Sequence, residues 1–162
     1  MAAQVETMAY YGSVPWHGEG ISVQAAMTSE EAITLAGLDW TVSKRPAAAV
    51  IPIVGDNDQK TVEYVQSSDH HLIVRDTDHR VLGAVGNRYN VIQNRTAFNF
   101  IDAVVGDNRD AEFHTAGSLK GGQRVWMLAR VKDLTIEPVK GDITEPYLLL
   151  SLSHDGSGSV RV

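Results

Sequence analysis

The sequence predicts an α+β protein: a mainly antiparallel β-sheet with one helix, at about 95–105, packed on it, and a short N-terminal helix at about 29–36. Three observations carry this. Strand-like runs come in pairs joined by short turns, as in "HLIVRDTDHRVLGAVG" and "AEFHTAGSLKGGQRVWMLARV". Helical periodicity recurs in only two places. The order is helix, several strands, helix, then at least four strands, with hairpins in place of βαβ crossovers.

Residues 1–20 read as an irregular N-terminal arm, because "YYGSVPWHGEG" is rich in glycine and aromatics. Residues 21–162 read as a single α+β domain, and 162 residues are enough to bury a real core. In "TSEEAITLAG", Thr28 and Glu31 fit a capping box, Ala32, Ile33, Leu35 and Ala36 supply the apolar positions, and Gly37 is the stop. "LDWTVSKRPAAAVIPIV" reads as extended, with Pro46 and Pro52 confining it to an edge or irregular strand. "VGDNDQK" reads as a turn and "TVEYVQ" as a strand. Leu72–Val74 and Val81–Val85 flank the polar turn "DTDHR". Asn94 is placed to cap a helix whose stripe is Ala97, Phe98, Ile101, Val104 and Val105, ending at Gly106. Gly121–Gly122 suits a tight hairpin between "AEFHTAG" and "RVWMLARV". "PYLLLSLS" is a strand, "HDGSG" its turn, and "SVRV" the start of a return strand. A chain ending inside a pairing strand is expected to be the N-terminal part of a longer protein.

An apolar fraction of 43% with 21% charged residues is that of a globular protein and excludes a disordered one. The absence of cysteine excludes disulfides and thiolate metal sites. No apolar run approaches the ~20 residues that span a bilayer, and "MAAQVETMAYYG" lacks a basic n-region and an h-region, so a cytoplasmic protein with no membrane partner is expected. The net charge of −6 excludes a generally basic nucleic-acid binder. The charge is unevenly placed, however. Residues 1–79 balance to −7, residues 80–131 to +3 and residues 132–162 to −2.

Histidines and carboxylates gather in "DHHLIVRDTDH", where His70 or His71 with Asp69 and Asp76 would suit a divalent metal. Adjacent histidines on a strand point to opposite faces, so no metal and no cofactor is expected. Ser153, His154 and Asp155 are adjacent in sequence, whereas hydrolytic triads are assembled in space, and no Gly-x-Ser-x-Gly elbow is present. No catalytic residue is assigned. "SLKGGQR" lacks phosphate-loop spacing and reads as a flexible basic tip, able to reach phosphate through Lys120 and Arg124.

The basic segment centres on "GNRYNVIQNRTAFNFIDAVVGD". A helix N-terminus favours anions, and Arg88 and Arg95 flank this one. Asn87, Asn90, Gln93 and Asn94 carry amides suited to phosphate, sugar or base edges, and Tyr89 offers a stacking face.

Taken together, "AYYGSVPWHGEG", "AGLDWTVSKRP", "GNRYNVIQNRTAFNFIDAVV", "TAGSLKGGQRVWMLARV" and "PYLLLSLSHDGSGSVRV" resemble a large uncharacterised family of bacteriophages, plasmids and actinobacterial genomes, the phage/plasmid-like proteins. The resemblance runs from Met8 to Val162 and implies mobile-element DNA metabolism. A more limited resemblance is to single-strand annealing proteins of the Rad-fifty-two type, which implies a curved antiparallel sheet crossed by a helix and assembly into rings or filaments around DNA. The expectation is therefore a self-assembling, non-enzymatic protein that binds single-stranded DNA. Arg88, Arg95, Lys120, Arg124 and Arg130 would contact phosphate, Tyr89 and Trp126 would stack, and Gln93 and Asn94 would add polar contacts. The alternative is a structural or regulatory module that binds a host protein through its acidic half. The third is a metal-dependent hydrolase.

Overall fold

The computed structural model of the chain describes residues 4–55, 60–105, 111–131, 136–139, 141–158 and 160–161. Most of the turn expected at 54–60, the helix stop at Gly106 and the side chains of Val104 and Val105 lie outside the described residues. The architecture is α+β. Its strands are β1 (Val5–Tyr11), β2 (Ile21–Val23), β3 (Val42–Val54), β4 (Lys60–Arg75), β5 (Val81–Gly86), β6 (Ala111–Leu119), β7 (Arg124–Val131), β8 (Ile136–Val139), β9 (Asp142–Thr144) and β10 (Tyr147–Ser153). Helices α1 (Ser29–Leu35) and α2 (Asn94–Val105) follow β2 and β5.

The larger sheet runs β10–β7–β6–β1–β2, antiparallel except for the β1–β2 pair. The N-terminal arm therefore needs correction. Residues 5–11 are a strand inside this sheet, paired with β6 from Val5↔Leu119 to Tyr10↔Thr115. "VETMAYY" hides its strand character because Met8, Ala9 and Tyr10 are all buried, so apolar residues do not alternate with polar ones. Ala9 belongs to the main core, while Gly20 closes over Met8 on the other side.

Both helices cover one face of this sheet. α1 starts with the expected capping box: Glu31 N–H donates to Thr28 Oγ1, and Thr28 N–H donates to Glu31 Oε2 at 2.8 Å. α2 brings Ala97, Phe98 and Ile101 into the core with Val125, Met127, Ala129, Leu150 and Leu152 from the sheet. Ser29 Oγ donates to Asp102 and ties the helices together. β7 alternates strictly: Val125, Met127 and Ala129 are buried, while Arg124, Trp126, Leu128 and Arg130 face away from the helices. At the turn before it, Lys120, Gly121 and Gly122 all take positive φ (53°, 66° and 89°), which accounts for the glycine pair.

The second sheet is the antiparallel meander β3–β4–β5, with β3 at its edge as its prolines require. "TVEYVQ" and "HLIV" are not separate strands but parts of the 16-residue β4. Its base adds Val42, Ile73, Leu82 and Val85 to the common core. Its outer part, β3 from Ala48 and β4 up to His70, has no buried residue among those described. β8 and β9 form a small hairpin that the sequence reading missed. The return strand is present as a single bridge, Ser151↔Arg161.

Candidate nucleic-acid interface

The amide-rich helix entrance is built into the scaffold. Gln93 holds the free edge of β3 as another strand would: its Nε2 donates to Val42 O at 2.9 Å, and its Oε1 accepts from Val42 N–H at 3.0 Å. Gln93 O accepts the first helical bond, from Ala97 N–H, so Gln93 stands at the N-cap and Asn94 is already inside the helix. Asn94 is 1% exposed. Its Nδ2 donates to Leu38 O at 2.9 Å, which leaves Oδ1 to accept from His154 Nε2–H at 2.8 Å. Tyr89 donates its hydroxyl to Ser153 O at 3.0 Å and packs against the core, with its phenol pKa raised by burial. Arg95 is exposed but bonded to Glu30 at 2.9 Å and Asp39 at 3.0 Å. Tyr89, Gln93, Asn94 and Arg95, expected to meet nucleic acid, thus each have a protein partner in the structure, and the first three are built into the scaffold. Asn87 is used likewise, donating through Nδ2 to Ser68 O.

The remaining basic residues of the expected set are Arg88, Lys120, Arg124 and Arg130. On the open face of β7, Arg124, Trp126 and Arg130 recur two or four residues apart, over about 20 Å of strand. Trp126 lies across Gly117, where an added Cβ would clash with its ring, so glycine is what lets the indole settle on the sheet. Opposite on β10 stand Ser151, Leu149 and Tyr147, the last two exposed. At the Arg130 end the rings of Tyr11, His114 and Tyr147 form a row, with centroids 5.3 and 5.4 Å apart. Burial, followed by the Arg130 charge, lowers the His114 pKa. At the other end Arg124 reaches Ser157 and lies 3.9 Å from Asp155. Ser153, the register partner of Arg124, also lines a cleft of about 240 Å³ with the exposed Arg88. Lys120 is exposed on the adjoining turn. Arg124, Trp126 and Arg130 thus share one face of β7, Ser153 links that face to the Arg88 cleft, and Lys120 lies four residues before Arg124 on the turn. Arg130 is held at 2.8 Å by both Glu112 and Glu145, which raise its pKa.

Leu128, Tyr147, Leu149 and the Tyr11–His114–Tyr147 row were missed by the sequence reading. The alternation of "RVWMLARV" contained the signal for the β7 part. Arg75 was also missed. It is 8% exposed, bonded to both oxygens of Glu6 and of Asp78, and its guanidinium lies 5.3 Å from the Trp40 ring centroid. This joins β1 to the β4–β5 turn and is a structural role.

The other chemistries find no matching geometry among the described residues. Ser153 Oγ donates to Asp155, while His154 turns away to Asn94, so the three do not form a relay. Asp76 is engaged by Thr41 and Ser43, and no three His, Asp or Glu side chains gather around one point. Among the described residues no helix is long and apolar enough to cross a membrane.

The sequence profile of a family described as Domain of unknown function (DUF932) matches residues 81–162, which hold α2, the open face of β7 and β10, and the Arg88 cleft. No curated protein and no solved structure matches the chain.

Proposed function

Because the chain belongs to the DUF932 family, whose description assigns no reaction, we propose its function from the geometry: a non-enzymatic, self-assembling protein that binds single-stranded DNA, in the setting of phage or other mobile-element DNA metabolism. One observation carries this reading. Arg124, Trp126 and Arg130 project from one strand on the sheet face that no helix covers, with Tyr147 beside them. Aromatic rings on an open sheet give bases a stacking surface at ~1–3 kcal/mol per base, and flanking guanidinium groups track the phosphates. The helix-backed antiparallel sheet fits the limited resemblance to annealing proteins. Binding requires Arg124 and Arg130 to exchange Asp155, Glu112 and Glu145 for phosphate, so affinity must fall steeply with salt.

Those same ion pairs favour a second reading, a protein-binding regulatory module. Fluorescence anisotropy with a labelled single-stranded oligonucleotide at low and high salt separates the two. The DNA reading expects salt-sensitive binding that Trp126→Ala weakens with little change in salt slope. No binding at low salt leaves the protein-binding module.

A further inference from the structure

The outer half of the β3–β4 ribbon is long, apolar and, among the described residues, backed by nothing. Val50, Ile51, Ile53, Val54, Val62, Tyr64 and Val65 are between 43% and 67% exposed. Two-stranded ribbons of this kind are marginally stable alone. The register separates its faces, since directly opposed residues point the same way. Val50↔Tyr64, Pro52↔Val62 and Val54↔Lys60 share one face, and Ile51↔Glu63 and Ile53↔Thr61 share the other. The first face is apolar from Val50 to Val62 and carries a charge only at Lys60, at its end. Its exposed side chains present on the order of 500–600 Å², close to the per-partner area of the smaller specific interfaces.

We infer that this face is a self-association surface, on which two copies of the chain pack Val50, Pro52, Val54, Val62 and Tyr64 against the same residues of the partner. The inference rests on the assembly part of the proposed function and not on its DNA part. Charge selects the occupant. The face offers phosphate a single lysine and offers a charged protein no matching row of charges. A chain of net charge −6 repels its own copies, so contact between copies belongs where the surface is uncharged. A two-fold axis sets an apolar face against its equal and makes it self-complementary. Pro46 and Pro52, which lack N–H groups, hinder growth along the outer edge of β3 and leave the face as the contact.

The chain has no cysteine, so an introduced one can form a disulfide only with another copy. The purified chain should sediment as a dimer or larger. Tyr64→Cys should oxidise to a covalent dimer, whereas Thr61→Cys, on the opposite face, should not. Val50→Asp with Tyr64→Asp should raise the dissociation constant about tenfold or more, as expected for damage at an interface centre. A chain that is monomeric at every concentration, equal cross-linking from Thr61→Cys, or assembly unchanged in the double variant would each overturn the inference. The cysteine variants keep it testable if the aspartates disturb folding. A monomer that binds oligonucleotide would overturn ribbon pairing and leave the DNA reading standing. A ribbon-linked dimer without oligonucleotide affinity would do the reverse.

Discussion

Two polar regions compete for the role of binding surface, and the structure uses them in opposite ways. The entrance of α2, from Asn87 to Arg95, has the denser array of amides and arginines, yet apart from the exposed Arg88 its bonded side chains are spent internally. Gln93 completes β3, Asn94 joins Leu38 to His154, Tyr89 reaches β10, and Arg95 pairs with two carboxylates. β7 carries only two arginines and a tryptophan, but alternation turns all three to the uncovered side of the sheet. A cluster of hydrogen-bonding side chains beside a helix start is as well suited to backbone groups left open by the fold as to a ligand. A strand's period of two, by contrast, declares which residues share a surface.

If the helix entrance is structural, perturbing it should cost stability first. The largest effect should come from acid. Burial depresses the His154 pKa from 6.5 to about 4. Between those values the unfolded chain takes up a proton that folded His154 does not. Stability is therefore independent of this group above about pH 6.5 and falls as the pH drops towards 4, by about 3 kcal/mol in all. Urea midpoints measured across that range should show the decline, and His154→Gln should flatten it. An equal decline in the variant would mean that His154 is not its source.

Next in size is Asn94→Ala, which leaves Leu38 O and His154 Nε2–H without partners at a buried site. It should cost about 2–3 kcal/mol in chemical denaturation. A midpoint within error of the parent would return Asn94 to the ligand-facing set. Gln93→Ala strips Val42 of two bonds and should cost about 1–2 kcal/mol, with faster hydrogen exchange at Val42 as a local signature. Arg95→Ala breaks two exposed ion pairs and should have the smallest effect, one that salt should erase.

Legibility in the sequence followed the range of the interactions involved. The α1 cap, the Gly121–Gly122 turn and the β4–β5 hairpin rest on interactions between neighbours in sequence, and the residues there declare them. β1 escaped notice because its pairing partner, β6, lies about a hundred residues away and both its faces are covered. Gln93 was read as a free amide and Asn94 as a helix cap because their partners, Val42, Leu38 and His154, lie 51 to 60 residues distant. The β7 face was half visible: Arg124, Trp126 and Arg130 were each named as contacts but not as one strand face, and their neighbours on β10 and the Tyr11–His114–Tyr147 row required the sheet order.

The contrast between the two regions is tested most directly by oligonucleotide affinity as a function of salt in two variants, Arg124→Ala with Arg130→Ala, and Arg95→Ala. The β7 pair should weaken binding of a single strand about equally for all sequences and lower the salt slope by roughly 0.7 for each phosphate that is no longer neutralised, while Arg95→Ala leaves affinity and slope at parental values. A parental slope in the β7 double variant, together with a reduced slope in Arg95→Ala, would contradict this and return the interface to the helix entrance.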